Sequence, residues 1–254
     1  MLNHPRALKI LEFLKQNQSL RVSDLSQFLN VSKATIRRDL ERLEVAGQVQ
    51  RVHGGVLSAR SLLQEPSVLQ RMTECADEKR SIARAAARLI SDDLSVFIGS
   101  GSTALEVARN LIGRQGLTVI TNSLPIINLL ARELGFTVVA TGGVMRASEM
   151  SFIGHITDLA LREVRVDKVV IGIPAIDIKM GLTNDYLPEV VTDRAILNLG
   201  QELILVVDHS KFGKVASAYL APLERVTTLV TDSQVDPETI EQIRQLGIRV
   251  IVAD

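Results

Sequence analysis

The chain of 254 residues has no tryptophan, one cysteine, four histidines and no excess of either charge, since 29 Lys and Arg balance 29 Asp and Glu. A lone cysteine, Cys75, excludes an intramolecular disulfide. With no Cys or His cluster beside it in the sequence, a zinc site is not expected and Cys75 reads as incidental. No run of about 18 or more residues is free of charge, and no basic segment leads into an apolar one at the start. A membrane span and a secretory leader are therefore not expected, and a soluble, cytoplasmic protein is. Internal repeats and low-complexity tracts are also missing. The zero net charge hides an asymmetry: residues 1–60 hold ten basic and five acidic side chains, a net of +5, which leaves 19 basic and 24 acidic ones, a net of −5, for the remainder. A basic end joined to an acidic body is the charge pattern of a nucleic-acid-binding module attached to something else.

The basic end contains the run NVSKATIRRDLERLEVAGQVQRVHGGVL, Asn30 to Leu57. Ser32 is placed to cap a helix, in which Ile36, Leu40 and Leu43 recur at i, i+4 and i+7 on one buried face. Winding at 3.6 residues per turn puts Ala34, Thr35, Arg38 and Arg42 opposite that face, with Lys33 and Arg37 on its flanks. Two more helices are expected before it: Pro5 to Gln16, with Leu8, Leu11 and Leu14 inward, and Val22 to Leu29, with Leu25, Phe28 and Leu29 inward. Three helices with a basic third are the order of a helix-turn-helix, in which the third helix enters the major groove. Gly47 is placed as a helix stop, and β-branched residues then run into a Gly-Gly turn. That hairpin, carrying Arg51 and His53, is the expected wing of a winged helix-turn-helix over residues 1–57. A solvated charged face is the competing reading of Arg37 and Arg38, and the local excess of basic charge favours DNA.

Ser58 to Thr73 loses helical periodicity and contains Pro66, so residues 58–75 are expected to link two domains. From 76 to 254 the pattern is α/β. Ile82, Ala85, Ala86, Leu89 and Ile90 make the apolar side of an opening helix. Apolar runs at 96–99, 117–121, 136–141, 168–173, 202–208, 227–232 and 248–253 then read as buried strands, most of them separated by helix-length segments. Asp236-Pro237 starts one helix that Gly247 stops, and Pro188 and Gly200 flank another. The expectation is a mostly parallel, doubly wound sheet.

Ligands of such sheets sit at the carboxyl ends of the strands. The first of those loops is Gly99-Ser100-Gly101-Ser102-Thr103, directly before a helix. Glycines let successive amides turn toward an anion, the hydroxyls add donors, and the helix start adds partial positive charge, so a phosphate suits this loop. A ligand-free tight turn is the alternative. Thr103 and Glu106 also have capping-box spacing. Thr121-Asn122-Ser123, Thr141-Gly142-Gly143 and Asp208-His209-Ser210-Lys211 end later strands. Lys211 is suited to neutralise a phosphate, and Asp208 to bond sugar hydroxyls or steer the lysine. In Gly181 to Glu189, Asp185, Tyr186 and Glu189 are candidates to face hydroxyls, with a subunit interface as the alternative. Asp177, Asp185, Glu189, Asp208, His155 and His209 supply the groups a sugar-phosphate isomerase would need, yet nothing in the sequence fixes a base and acid pair among them.

Together VSKATIRRDL…RVHGGV and, further on, GSGST, TNS, TGG, IGIPAID and VDHSKFG resemble the ordered motifs of the DeoR family of bacterial repressors over nearly the whole chain. The resemblance implies a repressor of sugar or polyol catabolic genes, released by a phosphorylated sugar intermediate. It also implies an effector domain similar to ribose-phosphate isomerase-like folds, and assembly into a homodimer or homotetramer on double-stranded operator DNA. No cofactor or metal is implied, only a non-covalent sugar-phosphate effector. On this reading Ser32, Lys33, Thr35, Arg37, Arg38, Arg42, Arg51 and His53 address DNA. Gly99, Ser100, Gly101, Ser102, Thr103, Asn122, Gly142, Gly143, Asp185, Glu189, Asp208 and Lys211 address the effector. The chain departs from the family pattern at Gly99, where an aspartate is common, and at Asp193, where a basic residue is common. An isomerase-like enzyme carrying a DNA-binding domain is the alternative function, and a ligand-free DNA binder a third.

Overall fold

The computed structural model describes residues 5–16, 19–45, 49–52, 55–58 and 67–254. The chain divides into two compact units, Met1–Pro66 and Ser67–Asp254. Among the described residues no helix is long and apolar enough to cross a membrane.

The first unit contains α1 (Pro5–Gln16), β1 (Ser19–Arg21), α2 (Val22–Phe28), α3 (Lys33–Val45), β2 (Val49–Val52) and β3 (Gly55–Ser58). Ile10, Leu14, Leu25, Ile36, Leu40, Leu43, Val49 and Val56 form its core. Two expected core residues are corrected: Leu8 is 52% and Phe28 67% exposed, while Ile10 is fully buried. A spacing of three falls about 60° short of a full turn at each step, so Leu8 drifts off the face that Ile10 and Leu14 share at i and i+4. Phe28 stacks on Phe13 at 5.6 Å between ring centres. The strands pair antiparallel in the order β1-β3-β2, with Leu20 and Arg51 on either side of Val56. Gly47, His53 and Gly54, expected at a helix stop and at the hairpin turn, lie outside the described residues. Gly55 is a strand residue, and a Cβ there would stand 2.7 Å from the Leu20 carbonyl oxygen. Its small size serves the close approach of β1 to β3.

The second unit opens with α4 (Val68–Arg71), inside the segment expected to be a connector. The capping box of Ser67 and Gln70 holds this short helix, and Val68 donates from its amide to Ser148 at 2.8 Å. One turn is too short to produce a periodicity. There follow α5 (Ala76–Ala87), β4 (Ser95–Ile98), α6 (Ser102–Leu111), β5 (Leu117–Thr121), α7 (Leu124–Leu130) and β6 (Phe136–Ala140). Next come a hairpin of β7 (Val144–Arg146) and β8 (Ser151–Ile153), then α8 (His155–Arg162), β9 (Val166–Ile171), β10 (Ala175–Asp177) and β11 (Gly181–Asn184). The remainder is α9 (Val190–Leu197), β12 (Gly200–Val206), β13 (Ala218–Ala221), β14 (Thr228–Asp232), α10 (Pro237–Gln245) and β15 (Arg249–Ala253).

All seven apolar runs enter one parallel sheet, ordered β15-β14-β12-β9-β4-β5-β6. Its two faces are both covered, and the strands alternate between two cores. Phe97, Val169, Ile171, Leu203, Leu205 and Leu229 pack on one side with Leu161 of α8, Ile196 of α9 and Ile243 of α10. Val96, Ile98, Val119, Val170, Ile204, Val206 and Val230 pack on the other with α5, α6 and α7. Burial on both faces is why the central strands β4, β5, β9, β12 and β14 read as apolar runs, while the edge strands β6 and β15 are partly exposed. Ala83, Ala86 and Ala87 keep α5 free of bulk where it meets that second core. The small antiparallel sheet β10-β11-β13 adds Ile176, Leu182 and Leu220 to the first core; its three- and four-residue strands left no signal in the sequence.

Candidate functional site

In the first unit Ser32 caps α3 by accepting from the Thr35 amide at 3.2 Å, and its Oγ lies 2.9 Å from Thr35 Oγ1. Asp39, the one acid on the inner side of α3, is buried and paired with Arg6. Its carboxylate raises the Arg6 guanidinium above the usual arginine range. Lys33, Ala34, Arg37, Arg38 and Arg42 are exposed and Thr35 is half-buried. The helix therefore presents cations in its first three turns, where a recognition helix meets base edges. The Arg51 side chain and the whole of His53 lie outside the described residues.

In the second unit the chain runs outward from β4 through β5 to β6, then returns to place β9 on the other side of β4. This reversal is a switch point in the strand order at the carboxyl ends of β4 and β9, the place where open parallel sheets bind ligands. Gly99 follows β4 and donates from its amide to Val170 at 2.9 Å. A Cβ on Gly99 would lie 3.1 Å from Ile171 Cγ2, which favours glycine in this packing. Gly101 takes φ +112° and precedes the first residue of α6, with Ser102 and Thr103 buried in the first turn. Thr103 does not form a capping box. The helix starts at Ser102, so Thr103 lies inside it, and Glu106 pairs with Arg109 at 3.3 Å.

At the end of β5, Asn122 is 1% exposed and donates from Nδ2 to the Phe152 carbonyl at 3.2 Å, while its Oδ1 has no partner among the described residues. Thr141, at the end of β6, is 6% exposed and its Oγ1 is likewise unpartnered. Two buried oxygens without partners, at the ends of adjacent strands, are the kind of orphan that a bound polar ligand or water satisfies. Thr157 Oγ1 donates to the Gly142 carbonyl at 2.7 Å, and a Cβ on Gly143 would run into Thr157 Oγ1 and approach the Ile153 carbonyl to 2.8 Å, so packing favours glycine at position 143.

Asp208, 1% exposed, accepts on Oδ1 from the Ser210 amide at 3.0 Å and from the Ser210 hydroxyl, capping the 3-10 turn His209–Lys211. Lys211 is half-buried. His209 is held by Asp232, which accepts from the His209 amide at 2.8 Å and lies 3.1 Å from Nδ1. Sequence reasoning missed Lys79, which is 3% exposed and whose ammonium donates to the Arg71 and Glu74 carbonyls. Burial draws its pKa below the usual lysine range, and Asp208 pushes it back up. The Arg80 charge beside it and the alanine run around it gave no hint of burial.

Asp185 is exposed and accepts from the Ser217 amide at 3.2 Å. Glu189 is 4% exposed and pairs with the buried Arg146 of β7, which also stacks 4.0 Å from the Tyr186 ring centre. Ser151 donates to Glu189 at 3.4 Å, and Asn184 donates to Asp193 at 2.7 Å. Burial raises the Glu189 pKa, against the pull of Arg146. Burial, then the Glu189 charge one turn earlier, pushes Asp193 up to about 8. Arg146 and the nearby Arg71–Glu149 pair were not foreseen, because their partners are 43 and 78 residues away in sequence.

Residues 74–233 match the family model described as the DeoR C terminal sensor domain, and residues 6–62 that of the DeoR-like helix-turn-helix domain. The chain is 35% identical over 229 residues to the transcriptional repressor AccR of Agrobacterium fabrum, covering 90% of this chain and 89% of that protein. It is 31% identical over 249 residues to a putative aga operon transcriptional repressor of Escherichia coli, covering 97% and 93% respectively. Among solved structures, ribose 5 phosphate isomerase A of Neisseria gonorrhoeae aligns at 18% identity with a TM-score of 0.40, covering 53% of this chain and 52% of that one.

Proposed function

The chain belongs to the DeoR family of DNA-binding transcriptional regulators, and from that premise we propose that it represses a sugar or polyol catabolic operon until a phosphorylated sugar binds at the switch point beyond β4 and β9. The single observation that carries this reading is the position of Gly99 to Thr103, which opens α6 at the reversal point of the sheet beside the unpartnered oxygens of Asn122 and Thr141. The amides and hydroxyls of Ser100, Gly101, Ser102 and Thr103 take the phosphate, Lys211 neutralises it, and Asn122 and Asp208 meet the sugar hydroxyls. Glu189 acts behind Arg146 rather than on the ligand.

On the DNA side, Lys33 and Arg51 anchor phosphates while Thr35, Arg37 and Arg38 reach base edges, Arg most naturally guanine. Ser32 and Arg42 border that face, and His53 belongs to the wing. Two copies, or two pairs, address half-sites spaced by whole helical turns, roughly 10 bp or a multiple. The protein works where its operator lies, in the cytoplasm. A tenfold loss of operator occupancy requires the effector to favour the released form by about 1.4 kcal/mol, and couplings of about 1–3 kcal/mol are ordinary. The relatives are named as regulators rather than enzymes, and sensing accounts for the second unit without a catalytic pair.

The test is a thermal-shift screen of the full chain against phosphorylated sugars and polyols and their unphosphorylated forms. A ligand at about 100 times its dissociation constant adds roughly 2.7 kcal/mol of stability. One phosphorylated compound should raise the melting temperature, and Lys211→Ala should abolish both that rise and induction while operator binding persists. Release from DNA by Lys211→Ala at the wild-type effector concentration would refute the phosphate assignment.

A further inference from the structure

Cys75, read from the sequence as incidental, stands at the amino end of α5 in the left-handed region, with φ +47°. A non-glycine residue rarely adopts this region, so the position is one that its surroundings impose. Among the described residues its Sγ, a carboxylate oxygen of Asp208 and a ring nitrogen of His209 lie within 4.8 Å of one another. The three come from two places far apart in sequence, the start of α5 and the loop after β12. We propose that Cys75, Asp208 and His209 form a binding site for a divalent transition metal of the Zn²⁺ class.

Each donor is arranged for that task. His209 Nδ1 is engaged by Asp232 at 3.1 Å, which leaves Nε2 as the coordinating nitrogen. A carboxylate behind a metal-binding histidine fixes the ring and raises its basicity. Asp208 Oδ1 is occupied by Ser210, which leaves Oδ2 to the metal. The Cys75 thiol makes no hydrogen bond to a described residue. Sulfur, imidazole and carboxylate together suit Zn²⁺, with the fourth position open to water or a ligand oxygen. In a tetrahedral Zn²⁺ site donors stand roughly 3.3–3.8 Å apart, so the three need to close by about an ångström, within reach of side-chain rotation.

The charges around the site also balance a divalent cation. Cys75 as thiolate, Asp208, Asp232 and Glu78 carry four negative charges, against the two positive charges of Lys79 and Lys211. The Lys79 ammonium is turned to the Arg71 and Glu74 carbonyls. Binding converts the thiol to thiolate and releases one proton to solvent, so affinity rises with pH.

The experiment uses the full chain, stripped with a chelator and titrated with Co²⁺ and Zn²⁺ alone, without sugar phosphate. Co²⁺ should produce a near-ultraviolet thiolate-to-metal charge-transfer band at one ion per chain, and Zn²⁺ should displace it. Cys75 is the only cysteine, so the band in the wild-type chain has one possible source, and its absence overturns the site even where a variant fails to fold. Cys75→Ser should remove the band and lower Zn²⁺ affinity at least tenfold. Asp232→Asn, which leaves all three donors in place, should keep the band and weaken binding about 10- to 100-fold. Wild-type Zn²⁺ affinity in Cys75→Ser also overturns the proposal. Asp208 and Lys211 are shared with the effector site, but metal binding is read without effector, so failure here leaves the sugar-phosphate reading standing.

Discussion

Asp193→Asn is the perturbation that probes the acid pair of the second unit, the buried Glu189 and the half-buried Asp193. Asp193 titrates at about 8 in the folded chain, against an ordinary value of 3.8. The cause is burial first and the Glu189 carboxylate, four residues earlier on the same turn, second. Between those two pH values the folded chain holds a proton that the unfolded chain gives up. Stability then falls as pH rises, because the native state binds more protons, and it levels off above about 8. One pH unit is worth about 1.4 kcal/mol for one fully coupled proton, so pH 5.5 to 8 spans at most about 3 kcal/mol. Glu189, raised by burial and held down by Arg146, shares that proton, so the titration belongs to the pair. The asparagine variant keeps an oxygen to accept from Asn184, which bonds Asp193 at 2.7 Å, and has nothing to ionise. Urea unfolding of both proteins at pH 5.5, 7 and 8.5 is the assay. The variant should lack this pH dependence, so that its stability advantage over the wild type widens by roughly 3 kcal/mol between pH 5.5 and pH 8.5. A stability difference independent of pH over this range would refute the buried-proton argument.

Arg38→Ala removes a cation from the exposed face of α3 without touching its core; it should cost roughly 1–3 kcal/mol of operator affinity in a gel-shift titration and leave effector binding intact. Unchanged operator affinity would take Arg38 out of the base-reading set. Gly143→Ala places a Cβ against Thr157 Oγ1 and 2.8 Å from the Ile153 carbonyl at φ +126°. It should cost about 2–4 kcal/mol in urea unfolding, from strain and overpacking combined, and a loss below half a kcal/mol would show that this crossing relaxes freely.

The central strands of the parallel sheet were legible because they are buried on both faces, and a strand such as VFI or LILV then needs no partner to declare itself. The three helices of the first unit were legible for a related reason: Ile36, Leu40 and Leu43 repeat at helical spacing, and a capping serine stands directly before them. The Gly99 to Thr103 loop could be named because its chemistry is contiguous in sequence. Its position at the reversal of the sheet depends on β9 returning beside β4, and that order is a property of the packed chain.

What the sequence by itself determined is therefore everything encoded within a turn or a strand: the two-part architecture, the basic third helix, the seven strands of the parallel sheet and the glycine-serine turn that opens α6. What only the tertiary structure decided is which polar groups meet across long stretches of chain. Arg146 finds Glu189, Lys79 is buried beside Asp208, and Cys75 joins Asp208 and His209 although more than 130 residues separate them. Long-range pairing of buried charges leaves no periodic trace, because each partner satisfies the other only after the sheet and its covering helices have removed both from water.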